Sequence, residues 1–260
     1  MDPKRSSVLA FITLVFAFST PFWLLGNVYK LELLPGLPIS SLAAFTPGIA
    51  AVVLVYRNNQ LSAVSRLLRR AFDFDRIRVR KWYFVFVLFN PVVAIIAYGV
   101  LRSLGIEVPA PSLPKLFVVV LMSLSFFVAA LGEEIGWTGY ATERLPRRWG
   151  LIPTGLSLGL VWAVFHFILL AQANHSLDWI AWWCLGTLIL RTVMVWLYSR
   201  AGSSVFAAAV FHTMINLSWQ LFPIHGSYYD PRVFSIVLLA LAILLAAARQ
   251  LGPRAGKPVA

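Results

Sequence analysis

Residues 116–140 read LFVVVLMSLSFFVAALGEEIGWTGY, and this stretch decides the fold class. From Leu116 to Gly132 there is no ionisable side chain, and then two carboxylates, Glu133 and Glu134, follow in succession. A bilayer core about 30 Å thick takes about 20 residues of helix to cross, so the run has the length and character of a membrane span. A charged side chain inside such a span costs on the order of 3 kcal/mol or more, and its default reading is a functional group facing the bundle interior. Neighbouring helical residues point about 100° apart, so the two carboxylates cannot do the same job. One can face a cavity while the other binds the structure.

Working outward, similar runs recur at approximately Val8 to Val28, Ser40 to Tyr56, Trp82 to Leu101, Leu151 to Leu170, Trp179 to Tyr198, Ser203 to Leu221 and Val233 to Ala248. With the run ending at Glu134 they make about eight spans. The chain is 60% hydrophobic and 12% charged, with a mean hydropathy of +0.79, well beyond an ordinary soluble domain. The expected architecture is an all-α polytopic membrane protein, one domain over residues 1–260, with a central polar cavity. The first run is too long for a signal peptide and is read as the first span.

A formal charge of +12 raises the question of nucleic acid, but in a membrane protein cations are first a topology signal. With a cytoplasmic N-terminus, 17 of the 22 Lys and Arg residues fall on the cytoplasmic side. The opposite side receives Lys30, Arg102, Lys115 and Arg232, and Arg191 lies inside a span. Both termini are therefore expected in the cytoplasm, the location in the inner (plasma) membrane, and the partner the lipid bilayer rather than nucleic acid. The basic segment from Arg57 to Lys81 spaces Leu61, Val64, Leu67 and Leu68 as an interfacial amphipathic helix would. The loops Ser103 to Pro114 and Pro223 to Pro231, rich in Pro and Gly, are expected to be ordered turns. The single cysteine, Cys184, allows neither an intrachain disulfide nor a cysteine-based zinc cage and reads as a small buried residue.

Three further polar residues sit in apolar runs. Trp162 and His166 are spaced i, i+4, as are His212 and Asn216, so each pair shares one helix face. A lone membrane histidine is as often a packing residue as a catalyst. Together with a carboxylate, an imidazole supplies a general base for water, and a second imidazole with a carboxamide supplies two donors for a developing oxyanion. A proton relay through Glu133, His166 and His212 is the competing chemistry, although a relay has no need of Asn216. The sequence has no Gly-x-Ser-x-Gly nucleophile motif and no His-Glu-x-x-His zinc helix.

These residues carry a resemblance. Glu133-Glu134, the aromatic-x-x-x-His of Trp162 to His166 and the His-x-x-x-Asn of His212 to Asn216 resemble, in order and spacing, the three motifs of the type II CAAX prenyl endopeptidase and bacteriocin-processing (CPBP, or Abi) intramembrane proteases. The resemblance covers a catalytic core at about residues 115–221. It implies a membrane-embedded endopeptidase acting on a peptide or membrane-protein substrate. Glu133 and His166 would activate water, His212 and Asn216 would form an oxyanion hole, and Glu134 would support them, with no cofactor and no metal. One position departs from the family pattern: where an arginine normally stands four residues after the second glutamate, this chain has Thr138. Arg191 is the candidate replacement cation and Arg144 the runner-up; a non-catalytic scaffold is the alternative outcome.

Depth along the helices poses a problem. At 1.5 Å per residue Glu133 lies about 26 Å from the outer start of its span, close to the cytoplasmic boundary. His212 lies about 14 Å from the cytoplasmic side, in keeping with a cavity open to the cytoplasm, whereas His166 at about 22 Å lies too deep to meet Glu133. A shifted fifth helix or a tilted fourth would reconcile them.

Overall fold

A computed structural model describes residues 3–34, 37–145 and 149–251. The described residues form eight α-helices: α1 Pro3–Val28, α2 Thr46–Arg69, α3 Lys81–Ser103, α4 Leu116–Gly136, α5 Leu151–Gln172, α6 Leu177–Arg200, α7 Val205–Gln220 and α8 Pro231–Leu251. A small antiparallel pair, β1 Glu32–Leu34 and β2 Leu37–Pro38, precedes a 3₁₀ turn at Ile39–Phe45. Arg147, Arg148, Arg254 and Lys257, counted above for topology, lie outside the described residues.

Among the described residues, six helical segments are long and apolar enough to cross a membrane, among them Leu116–Thr142 and Leu151–Gln172. Of the other two of the expected eight, α8 has 21 residues and α7 is shorter. α7 has 16 residues, about 24 Å of rise against a core of about 30 Å. Its packing explains how it can be short: α7 lies against α3 and α4, with Phe211, His212 and Ala207 to Ala209 buried, so neighbouring helices cover what its length does not.

Two boundaries differ from the sequence reading. The fourth span does not stop at the paired glutamates: α4 passes into a π-helical turn, Trp137–Thr142, that carries it toward the basic loops. Such turns are frequent at functional sites because they re-aim the side chains that follow. The expected interfacial helix is not a separate element either. With no Pro or Gly between Tyr56 and Leu68, α2 continues unbroken to Arg69, with Arg66 and Arg69 in its last turn where cations complement the helix dipole. Two 3₁₀ turns, Arg70–Phe72 and Phe74–Arg76, then lead into α3.

Local chemistry sets the helix starts. Ser176 accepts a hydrogen bond from the Trp179 amide (3.2 Å) with Asp178 in the first turn of α6. Ser204 accepts from the Ala207 amide (3.1 Å) to begin α7, and Asp230 caps α8 by accepting from the Arg232 amide (2.8 Å). One apolar core gathers α3, α6, α7 and α8 around Phe86, Met194 and Phe211. A second gathers α1, α2 and α5 with the π turn around Phe11, Trp137 and Trp162.

α5 and α6 approach most closely where α5 presents Gly155 and Gly159. A methyl group built on Gly155 would stand 2.5 Å from the Thr192 Cα, and one on Gly159 would stand 2.9 Å from the Leu188 Cα and 3.3 Å from the Arg191 Cβ. Small residues at membrane helix contacts permit this backbone proximity. Gly155→Ala is accordingly expected to destabilise the protein by about 1–3 kcal/mol, the range for overpacking a tight contact, measured as a lowered thermal midpoint in detergent. An unchanged midpoint would show that α6 can move aside freely.

Candidate active site

Glu133 and Glu134 leave α4 in different directions and meet different partners. Glu134 is fully buried, and its four lone-pair positions are taken. Arg191 on α6 grips it with both ends of the guanidinium, Nη1 to Oε2 at 2.9 Å and Nη2 to Oε1 at 3.0 Å. Thr138 Oγ1, in the π turn, donates to Oε2, and His212 Nδ1 on α7 donates to Oε1 at 3.0 Å. A carboxylate so engaged has no lone pair left with which to take a proton from water.

Arg191 is itself fully buried, and its guanidinium lies 4.2 Å from the centre of the Trp162 ring, a cation–π contact. Arg144, by contrast, stacks on Tyr140 at 3.6 Å and donates to the Tyr140 carbonyl at 3.1 Å. Of the two cations weighed for the place opposite Thr138, it is Arg191 that touches Glu134.

Glu133, 5% exposed, turns toward a cavity of about 200 Å³. Its Oε2 accepts the indole N–H of Trp162 at 2.7 Å, and its Oε1 stands 3.9 Å from His212 Nε2. The Trp162 ring lies edge to face between two imidazoles, with centroids 5.2 Å from His166 and 5.1 Å from His212. His166 Nδ1 bonds the Trp162 carbonyl at 2.8 Å. Because a carbonyl only accepts, Nδ1 carries the proton and Nε2 of the neutral ring keeps its lone pair. Asn216 lines the same cavity and makes no protein hydrogen bond among the described residues, so its amide is free for a ligand.

Glu133, His166, His212 and Asn216 therefore line one cavity. Glu133 and His166 share no direct hydrogen bond; they are linked through Trp162 and lie within electrostatic reach of each other. The depth difference shrinks because the fourth helical segment continues to Thr142. Measured from the basic face, Glu133, His212 and Trp162 lie about 14, 11 and 17 Å along their helices, and His166 is one turn beyond Trp162. Among the described residues, the cavity's lining extends from Glu133 away from the basic loops, to Leu37, His175 and Tyr229.

With Nδ1 of His212 committed to Glu134, it is Nε2 that faces Glu133 and the cavity. Among the described residues no group of three or more His, Cys, Asp or Glu side chains converges as a metal centre would require.

The sequence does not show the contacts of two residues that it singles out. Trp162, the aromatic of a motif, is through its N–H the direct partner of Glu133; tryptophan is the aromatic whose ring edge offers an N–H donor. Thr138, standing where the resemblance expects a cation, is a hydrogen-bond donor to Glu134. Arg191→Ala is expected to cost about 3–5 kcal/mol, the penalty for leaving a buried charge unpaired, whereas Thr138→Val should cost about 1.5–3 kcal/mol for one bond to a charged group. Adding Thr138→Arg to Arg191→Ala should recover part of the loss. Thermal unfolding in detergent measures all three; a silent Arg191→Ala would remove Glu134 as an organising charge.

Comparison with known proteins places this geometry in context. Residues 114–218 match the family model described as type II CAAX prenyl endopeptidase Rce1-like. The chain is also 25% identical over 259 residues to the CAAX prenyl protease 2 of Methanococcus maripaludis, an alignment covering 92% of this chain and 88% of that protein. Over residues 114–218 this all-helical membrane protein is thus similar to the Rce1-like type II CAAX prenyl endopeptidases.

Proposed function

We propose that the protein is an intramembrane endopeptidase in which Glu133 and His166 activate a water and His212 with Asn216 hold the oxyanion. The observation that carries this reading is the division of labour between the adjacent carboxylates: Glu134 has every lone pair engaged, while Glu133 faces the cavity with one oxygen free of strong partners. His166 Nε2 and the Asn216 amide, both without protein partners, complete the set.

The reaction follows from these positions. Water held between Glu133 and His166 Nε2 attacks the peptide carbonyl carbon as Glu133 takes its proton. The carbonyl oxygen gains the electron pair and is met by His212 Nε2–H and the Asn216 amide. Collapse of the tetrahedral species breaks the C–N bond, and Glu133 returns its proton to the leaving amine, giving one carboxylic acid and one amine. Trp162 holds Glu133 in place throughout, and Arg191 and Glu134 fix the His212 ring. No metal is needed to complete this sequence. A proton relay would leave the free Asn216 amide without a task.

Glu133→Gln and His166→Ala should each lower turnover of a peptide panel by about 10²–10⁴ while the folded protein stays in the membrane. Asn216→Ala should lower kcat by about 10²–10³ through loss of one oxyanion donor. Wild-type turnover by folded Glu133→Gln would remove that residue from the reaction. Turnover is further expected to survive a strong chelator; activity lost on chelation and restored by zinc would overturn the metal-free mechanism.

A further inference from the structure

A second cavity, of about 550 Å³, lies at the basic face, and none of its lining residues lines the cavity that holds Glu133. Its walls come from three places in the chain. The loop before α3 supplies Asp75, Arg76 and Arg78, the first turn of α3 supplies Trp82, and the end of α6 supplies Arg200 and Gly202. Both helices have the length and apolar character of membrane spans, Lys81–Ser103 and Leu177–Arg200. The cavity therefore sits where two spans meet the membrane surface.

Its shape is fixed by groups other than its free arginines. Gly202, at φ +93°, approaches the loop so closely that a methyl group built on it would stand 2.2 Å from the Arg76 carbonyl oxygen. Behind the wall lies a polar clamp. Arg70 pairs with Glu143 at 2.6 Å and donates to Tyr198 Oη (2.6 Å) and the Ser203 carbonyl (2.8 Å), and Tyr198 Oη donates to Glu143 at 2.8 Å. Asp73 accepts from Ser204 Oγ at 2.8 Å and from the Phe206 amide at 3.0 Å, and Tyr83 Oη donates to the Phe74 carbonyl at 2.9 Å. The loop that carries Arg76 and Arg78 is thereby tied to α3, to the end of α6 and to the start of α7.

Three arginines face a single carboxylate, Asp75, across this cavity. Arg76 makes only long contacts, to Asp73 at 3.7 Å and to the Ser203 carbonyl at 3.5 Å. Arg78 and Arg200 are exposed and have no hydrogen bond or ion pair among the described residues. A guanidinium presents its N–H donors as a planar fork that matches phosphate oxygens two at a time. Beside the arginines, Trp82 meets Trp196, one turn inside Arg200, edge to face at 6.1 Å. Tryptophan favours the membrane–water boundary, where the glycerol and upper chains of a phospholipid lie. A free phosphate would use the arginines and leave the tryptophans without a task; a phospholipid uses both.

We propose that this cavity binds the phosphate headgroup of an anionic phospholipid, with Arg78 and Arg200 gripping the phosphate and Trp82 lying against the glycerol. The distribution of Lys and Arg makes the leaflet concerned the cytoplasmic one. A lipid held there joins the loop before α3 to the end of α6, and because it binds only the folded protein it raises stability. The site stands independently of the endopeptidase reading. It differs from a merely solvated basic surface, on which any arginine of that face would serve equally well.

Titration of the full-length protein in a neutral detergent with phosphatidylglycerol tests the site, with the thermal midpoint followed and bound lipid counted by native mass spectrometry. Arg78→Gln/Arg200→Gln removes two cations that no other described group contacts, so the variant should fold. Arg66→Gln/Arg69→Gln, in the last turn of α2, removes the same charge from the same face outside the cavity. Phosphatidylglycerol is expected to raise the midpoint of the unaltered protein and to leave a single lipid retained. Its half-saturating concentration should rise by about tenfold or more in Arg78→Gln/Arg200→Gln and stay unchanged in Arg66→Gln/Arg69→Gln. Phosphatidylcholine, with no net charge, and glycerol 3-phosphate, with no chains, should leave the midpoint where it was. Equal weakening in the two double variants, or none in either, overturns the site. A rise with phosphatidylcholine as large as with phosphatidylglycerol overturns recognition of the anionic headgroup, and an equal rise with glycerol 3-phosphate overturns the lipid as the source of the phosphate.

Discussion

The buried carboxylate of Glu134 organises the interior. An ionised carboxylate in a low-dielectric interior is tolerated only if it is paired and fully hydrogen-bonded, and here that requirement recruits α6 through Arg191, α7 through His212 and the π turn through Thr138. Each partner is thereby fixed relative to α4. Arg191 reaches Glu134 because Gly155 and Gly159 let α6 lie close against α5, and its guanidinium in turn braces the Trp162 ring. The same ring hydrogen-bonds Glu133, so the structural carboxylate and its cavity-facing neighbour are coupled through a short chain of contacts.

That coupling explains how two identical, adjacent side chains have separate parts. The helical step turns them about 100° apart, and the surroundings do the rest. One meets four donors and is saturated; the other meets an indole N–H and a cavity. The replacement of a cation by Thr138 fits the same arrangement, since the guanidinium of Arg191 reaches the carboxylate from another helix while Thr138 adds a neutral donor.

The bundle is asymmetric across the membrane. Aromatic side chains and the Arg70–Glu143–Tyr198 clamp fill the basic end, while the other half of the bundle leaves room beside α7, the shortest of the eight described helices. A helix too short to span alone can be kept because its neighbours shield it, and its position among α3, α4 and α6 puts His212 and Asn216 on the cavity wall.

The sequence by itself determined the membrane setting, the all-helical class and the family resemblance, because these depend on composition, span length and motif spacing, each a local or additive property. Glu133, His166, His212 and Asn216 could be singled out because polar groups in apolar runs are costly and stand out against them. The residue contacts needed tertiary structure. That Arg191 and not Arg144 meets Glu134 depends on how closely two glycines let α5 and α6 approach, and no spacing rule along one chain reports a distance between helices. Likewise, hydropathy could not show that the fourth helical segment runs past the glutamates, since a π turn of mixed residues continues the backbone without a long apolar run. The extent of the cavity is out of reach for the same reason: depth along each helix is readable from the sequence, but which end of a bundle is packed tightly is a property of side chains from four segments meeting.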